Sequence, residues 1–288
     1  MSRPRLSVIG PGKVGRTLAR LFHENGVFEI GALVSRGVET AQDAAGFIGA
    51  GEANTDPAEA DIILVAVPDP ALSGALTRLA LSDLKPGTII AHTSGALGLD
   101  VFAPLTGLNV RCVCAHPVKA FSDPARSVAT FAGTMITLQG EVSACEALGP
   151  AFSAIGGETL VLADDTDRTL YHAAIVFMAN HLPTLIHAGI ETFAHVGISR
   201  DNGLAIAGPI LRDTLAAILE KGPAAALTGP VARGDAETVS RHLESLKAVD
   251  ADLAKLYAAL ARATADLSAE KGEASVDGLL AIRDVTTP

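Results

Sequence analysis

Three groups of residues in this chain have types and spacings that suit chemistry. The first is Gly10-Pro11-Gly12-Lys13-Val14-Gly15, a GxGxxG pattern. Each glycine has its own physical reason. Gly10 permits a tight turn, Gly12 lets a pyrophosphate approach the backbone, and Gly15 lets a helix pack closely on a strand. A helix opening there offers free N–H groups and a partial positive charge to phosphates. The context agrees: Leu6–Gly10 is a short apolar run, and Val14, Leu18, Leu21 and Phe22 recur afterwards at helical spacing. The plain alternative is an ordinary strand-to-helix turn.

About 20 residues beyond such a motif, NAD-specific proteins place an acid on the ribose hydroxyls. Here the second apolar run ends in Val34-Ser35-Arg36-Gly37, with no acid. A hydroxyl and a guanidinium are what a 2′-phosphate needs, so the sequence favours NADP(H) over NAD(H). Otherwise Arg36 is a solvated surface residue. Two later loops fall at the carboxyl ends of strands, where open α/β sheets bind ligands. They are Val67-Pro68-Asp69 and His92-Thr93-Ser94-Gly95. Val67, Pro68, Asp69, Thr93 and Ser94 are therefore cofactor-side candidates; each loop is otherwise a plain turn.

The second group handles protons. His116 stands at a strand end, with Pro117 stopping the strand, and a titratable imidazole there suits a substrate carbonyl or carboxylate. His172, Val176 and Asn180 lie at i, i+4 and i+8 of a helical pattern, and Thr184, His187 and Glu191 continue the polar stripe. Ile175, Met178, Leu182, Leu185 and Ile186 take the other side. His172 would deliver a proton and Asn180 would orient a substrate, beside Ser94 and His116. Neighbouring helices would equally satisfy such a stripe, as expected for His187 and Glu191, and Pro183 should kink the helix. The third group is Thr228-Gly229-Pro230-Val231-Ala232-Arg233-Gly234-Asp235. Arg233 suits a carboxylate clamp. Asp235 either caps the helix carrying Thr238 and His242 or lines the same cavity as His242.

These residues need elements to hold them. Up to about residue 162 the chain alternates short apolar runs with helical patterns, as a parallel α/β sheet does. Strands are expected at Leu6–Gly10, Phe28–Val34, Asp61–Val67, Thr88–His92, Val110–Ala115, Thr134–Leu138 and Thr159–Leu162. Asp164, Asp165 and Asp167 suit a helix N-terminus. Helices are expected at roughly 166–196, 199–220, 235–247 and 248–270, with no further strand. The reading is α/β: residues 1–162 form a Rossmann domain with a parallel sheet, and 163–288 form an all-helical domain.

Composition narrows the function. The net charge of −10 comes with no basic run, which argues against a nucleic-acid partner. With 49% hydrophobic residues, a sizeable core is available. The three cysteines lack CxxC spacing and read as buried thiols of a reducing cytoplasm. The histidines show neither HxH nor HExxH, so no metal is expected. No targeting segment is visible. The most apolar stretch, 173–190, carries Asn180, His181, Pro183 and His187, which points to a buried helix and not a membrane span.

Taken together, GPGKVG, AVPD, HTSGA, AHPVKAF, YHAAIVFMAN and TGPVARGD resemble a bacterial Rossmann-like family with a C-terminal domain of unknown function. That family is similar to pyrroline-5-carboxylate reductase, ketopantoate reductase and the deazaflavin-dependent NADP oxidoreductases, within the 6-phosphogluconate dehydrogenase-like superfamily. The resemblance implies NADP binding, a 6-phosphogluconate-dehydrogenase-like helical C-terminal domain and a homodimer built through it. One departure is evident: the lysine that ketopantoate reductase and the hydroxyacid dehydrogenases use on the first long helix is missing, with His172 and Asn180 in that region. The expected activity is hydride transfer to the C=O or C=N of a small, carboxylate-bearing oxo or imino acid. The competing reading is a non-catalytic NADP(H)-binding sensor or scaffold dimer.

Overall fold

The computed structural model describes residues 3–287. β1 (Arg5–Ile9) leads through the glycine turn into α1 (Lys13–Glu24). β2 (Glu29–Val34), α2 (Val38–Ile48), the short β3 (Glu52–Ala53), β4 (Ile62–Val65), α3 (Asp69–Leu79) and β5 (Thr88–His92) follow. A 3₁₀ turn at Leu99–Leu105 precedes β6 (Val110–Pro117), α4 (Pro124–Ala129), β7 (Met135–Gly140), α5 (Val142–Ala154) and β8 (Glu158–Val161). The eight strands form one sheet in the order β3-β2-β1-β4-β5-β6-β7-β8. Every residue of β4 and β5 is buried, as central strands covered on both faces require. One core cluster gathers Phe22, Phe28 and Phe152, with ring centroids 4.8 and 5.5 Å from Phe22; a second joins Leu72, Leu76 and Phe102.

The sheet is parallel from β3 to β6, as the alternating pattern predicts, and departs from it at β7. That strand runs antiparallel to β6, and β8 runs parallel to β7. The reason lies in the connection. After Pro117 the chain turns and re-enters the sheet beside the end it has just left, where Val118 N–H donates to the Met135 carbonyl at 2.8 Å. The antiparallel register sets His116 opposite Thr137 and Cys114 opposite Gln139. Directly opposed residues present their side chains on the same face, and this matters for the site below.

The chain continues as α6 (Arg168–Ile175), a π-turn at Val176–Asn180, α7 (His181–Ala194), α8 (Arg200–Lys221), α9 (Pro223–Ala226), α10 (Ala236–Val249), α11 (Ala251–Lys271) and α12 (Val276–Val285). A 3₁₀ turn at Val231–Arg233 lies between α9 and α10. Pro183 explains the π-turn: its ring crowds the carbonyl four residues back, at Ala179, and it lacks the N–H that would bond there. The regular i, i+4, i+8 spacing behind the 172/176/180 stripe is interrupted by it. β3 and α12 were not expected from the sequence.

Two compact units result, residues 3–177 and residues 178–287. The second has a small core of Val231, Val239, Leu243, Ala261, Ala265, Leu279 and Ile282. The apolar stretch 173–190 is not the buried helix its composition suggested. Phe177 and Met178 are 73% and 70% exposed, and Leu182 and Leu185 are exposed as well. In α8 only Gly203 is buried, while Leu204, Ile206, Ile210, Leu215 and Leu219 face outward. Among the described residues, Arg168–Ala194 is the one helical run long and apolar enough, by length and composition, to cross a membrane.

Candidate active site

The glycine turn is built as its spacing demands. Gly10 has φ +84°, and a Cβ there would lie 2.6 Å from Val67 Cγ1. A Cβ on Gly15 would lie 2.6 Å from the Gly10 carbonyl oxygen. Those two glycines are packed shut against the sheet. Around Gly12 nothing lies within 4 Å of where a Cβ would be. The space is open just where α1 begins. The first helical bond runs from Arg16 N–H to the Gly12 carbonyl at 3.0 Å, so the amides of Lys13, Val14 and Gly15 have no α-helical acceptor. Arg16 ties this turn to α2: its Nε donates to the Pro11 carbonyl at 3.1 Å and its Nη1 pairs with Asp43 at 2.6 Å. Pro11 is buried; Gly12 and Lys13 are exposed.

At the end of β2, Ser35 spends its donors locally. Its N–H donates to Asn54 Oδ1 at 2.8 Å and its hydroxyl donates to the Gly37 carbonyl. Asn54 holds a left-handed conformation, φ 52°, to make that contact. Arg36 is exposed and, among the described residues, pairs with no carboxylate. Val67 and Pro68 lead from β4 into α3, where Asp69 is exposed in the first turn. Thr93 follows β5, with its N–H on the Val65 carbonyl at 3.3 Å.

The turn after β5 is held by a histidine. Ser94 N–H donates to His92 Nδ1 at 3.2 Å, which leaves the ring proton on Nε2, 3.0 Å from Cys114 Sγ. The Ser94 hydroxyl oxygen accepts from the amides of Ala96 and Leu97 at 3.2 and 3.0 Å. Its carbonyl accepts from Arg168 Nη2 at 2.9 Å. Gly95 then passes beneath two imidazoles: a Cβ there would lie 2.6 Å from His172 Nδ1 and 3.0 Å from His116 Nε2. The His116 and His172 rings meet edge to face, with centroids 6.2 Å apart. His116, His172 and Ser94 are thus brought together.

Tyr171 is the hub of this cluster. Its Oη lies 3.1 Å from His116 Nδ1 and 3.0 Å from Thr137 Oγ1, two side chains aligned by the antiparallel β6–β7 register. Arg168, only 3% exposed, donates from Nη1 to Thr137 Oγ1 at 3.3 Å and lays its guanidinium over the Tyr171 ring at 4.8 Å. Among the described residues, no carboxylate neutralises it. Gln139 Nε2 donates to the carbonyls of Ala163, Asp164 and Thr166, strapping the approach to α6, and Asp167 caps that helix by accepting from Leu170 N–H at 3.0 Å. Three buried polar atoms have no partner here: Gln139 Oε1, Arg168 Nε and His172 Nδ1.

Electrostatics follow from this packing. Burial, reinforced by the Arg168 charge, pushes both His92 and His116 down to about 4, so both rings are neutral at ordinary pH. Burial pushes the Cys112 and Cys114 thiols up to about 12 and raises Cys145 also; all three stay protonated and free.

Sequence reasoning missed Arg168, Tyr171, Thr137, Gln139 and His92. Two signals were available: Tyr171 stands beside His172, and His92 opens the His92-Thr93-Ser94-Gly95 loop, both in runs already singled out. The other sequence candidates lie in the second unit. Asn180 ends the π-turn and is exposed. Arg233 is exposed on its 3₁₀ turn. Asp235 caps α10, accepting from Thr238 N–H at 3.0 Å and from its hydroxyl at 2.8 Å. His242 Nδ1 lies 2.9 Å from Tyr257 Oη, beside an apolar cavity of about 570 Å³ between α7, α10 and α11.

A sheet ordered 3-2-1-4-5-6 at its parallel core, a glycine turn at its first crossover and an appended helical unit define a Rossmann-type protein with a helical partner domain. The family comparisons agree. Residues 1–117 match the Rossmann-like domain, and residues 134–264 match the domain of unknown function DUF2520. That pairing of matches is the combination the motifs resemble. No curated protein matches it. Among solved structures, a Thermotoga maritima protein is 22% identical with a TM-score of 0.73, over 93% of this chain and 99% of that one. An imine reductase from Pseudomonas sp. is 20% identical, TM-score 0.63, over 98% and 99%. A reductive aminase from Aspergillus terreus, in complex with NADPH and ethyl-5-oxohexanoate, is 16% identical, TM-score 0.58, over 99% and 93%. These likenesses show the fold.

Proposed function

We propose that this protein is an NADP(H)-dependent oxidoreductase acting on the C=N or C=O of a small oxo or imino acid. The observation that carries the reading is the contrast among the three glycines. Gly10 and Gly15 are filled in by the fold, whereas Gly12 faces open space at the mouth of α1. That is the cradle a pyrophosphate needs, with the amides of Lys13, Val14 and Gly15 as donors. Arg36 carries the preference for a 2′-phosphate, since both Ser35 donors are spent within the chain. Val67, Pro68, Asp69, Thr93 and Ser94 would face the nicotinamide half. When bound, the coenzyme supplies the hydride; the chain orients the acceptor and manages its proton.

His116 and His172 are the proton-handling side chains in this reading, with Asn180 positioning the substrate. Arg233, Asp235 and His242 of the second unit are the remaining substrate-binding candidates, Arg233 for a carboxylate. The resemblance to imine-reducing folds supports C=N as the acceptor. The exposed apolar side chains of α7 and α8 support a homodimer formed through the helical unit, because a monomer in water rarely leaves so many uncovered. Light scattering should then give twice the chain mass. A cytoplasmic location goes with this reading.

The test is a screen of cyclic imino acids and 2-oxo acids, following loss of NADPH absorbance, alongside a binding titration. Turnover of any member supports the enzyme. Tight coenzyme binding with no turnover across the set favours the sensor or scaffold.

A further inference from the structure

We infer that Arg168, Thr137 and Tyr171 form a one-way hydrogen-bond chain that fixes which nitrogen of His116 carries the proton and resupplies it. This rests on the oxidoreductase reading for its purpose, though not for its geometry.

The direction follows from donor and acceptor chemistry. A guanidinium only donates. Arg168 Nη1 sits 3.3 Å from Thr137 Oγ1, so that hydroxyl oxygen accepts, and its own hydrogen is free to go elsewhere. The neighbour within reach is Tyr171 Oη, at 3.0 Å. In the inferred arrangement Thr137 uses that hydrogen on Tyr171, which directs its own phenolic hydrogen to His116 Nδ1, 3.1 Å away. With Nδ1 accepting, the ring proton is on Nε2. That nitrogen makes no hydrogen bond among the described residues, and it lies over Gly95, beyond the end of β5. A permanently charged, 3% exposed side chain that can only donate, at the head of the chain, favours this polarity.

The arrangement answers a chemical difficulty. Burial keeps His116 neutral, its value pushed down to about 4, so it is not an imidazolium acid at ordinary pH. A neutral imidazole is a poor acid unless a second proton arrives as the first leaves. Here the Nε2 proton passes to the basic nitrogen or oxygen of the substrate while the Tyr171 proton moves to Nδ1. The ring remains neutral, now as the Nδ1–H form. The negative charge rests on the Tyr171 oxygen, hydrogen-bonded by Thr137 and beside the Arg168 guanidinium; when a proton from solvent arrives at Nε2, the Nδ1 proton returns to Tyr171 and the starting form is restored. Arg168, buried without a carboxylate, gains its counter-charge in that state. His116 is the residue that touches substrate; Tyr171, Thr137 and Arg168 act through it.

The experiment is long-range ¹H–¹⁵N NMR on the full-length protein with ¹⁵N-labelled histidine at pH 7.5, with no coenzyme present. His116 is assigned by loss of its signals in His116→Gln. The expected pattern is a neutral ring, Nε2 protonated and Nδ1 a hydrogen-bonded acceptor. In Tyr171→Phe and in Thr137→Val the Nδ1 signal should move toward that of an unbonded acceptor, while Thr137→Ser retains the wild-type position. His92, whose Nδ1 accepts from Ser94 N–H, is the internal control and should not move. A proton on Nδ1 in the wild type, or a His116 signal that ignores both substitutions, overturns the proposal. With any imine that the wild type reduces, Tyr171→Phe should slow turnover by about 10²-fold or more and leave coenzyme affinity within about twofold; a wild-type rate overturns the relay. Loss of coenzyme binding by the wild type would sink the oxidoreductase reading separately, since the NMR needs no ligand.

Discussion

Gly95 has no room for a side chain. A methyl group there would meet His172 Nδ1 at 2.6 Å and the His116 ring at 3.0 Å, so one or both imidazoles must give way. Overpacking of this kind costs about 1–3 kcal/mol, and the displaced groups are the ones proposed to handle the proton. Gly95→Ala should therefore lower stability modestly in urea titrations and lower turnover by more than about tenfold, far beyond what the stability loss explains. Unchanged turnover would remove these two rings from the chemistry. At this scale the sequence showed part of the site. The glycine turn was legible because its residues are neighbours and each has a steric reason visible from type and spacing. Ser94 and His116 were legible as polar residues at strand ends, and His172 as the start of a polar stripe on a helix. Arg168 was not, because an arginine one residue past a capping aspartate is usually solvated, and nothing local says that this one turns inward.

At the scale of elements, the antiparallel β6–β7 pair decides the site's geometry. It alone puts Thr137 opposite His116 and Gln139 opposite Cys114. Strand positions were readable within a residue or two from apolar runs, and Thr88–His92 was read to the residue. The direction of β7 was not readable, since alternation gives no sign of whether the chain re-enters at the same end. Hence the bridging role of Tyr171 was not readable, although the residue stands in a run that was. Likewise β3, two residues long, has no periodicity to read. Gln139 offers a test of how α6 is held. Gln139→Leu leaves three carbonyls near residues 163–166 without their donor and should cost about 1–3 kcal/mol in denaturant unfolding. The same variant should shift the His116 NMR signals, because the first turn of α6 carries Tyr171. Wild-type stability would mean that the strap is incidental.

At the scale of the molecule, stability should depend on pH through the two buried neutral histidines. In the unfolded chain each takes up its proton near 6.5; in the native protein His92 and His116 do so only at about 4, mainly because burial disfavours the charged ring. Between those values the unfolded state binds more protons, so stability falls as the pH drops from about 6.5 toward 4 and is unaffected by these groups above that window. The total amounts to a few kcal/mol, to order of magnitude, and urea unfolding at pH 7.5, 6 and 5 would measure it. A flat profile would mean that water reaches both rings.

The most direct measurement is calorimetric titration of the wild type and Gly12→Ala with NADPH, NADP, NADH and NAD. The wild type should bind the 2′-phosphorylated pair more tightly. Gly12→Ala should cost about 1 kcal/mol of stability, because alanine is a poorer N-cap than glycine and nothing crowds the Cβ, yet lose at least about tenfold in affinity because the methyl enters the pyrophosphate cradle. No heat with any of the four, or undiminished binding by Gly12→Ala, would contradict the assignment of this turn to a dinucleotide.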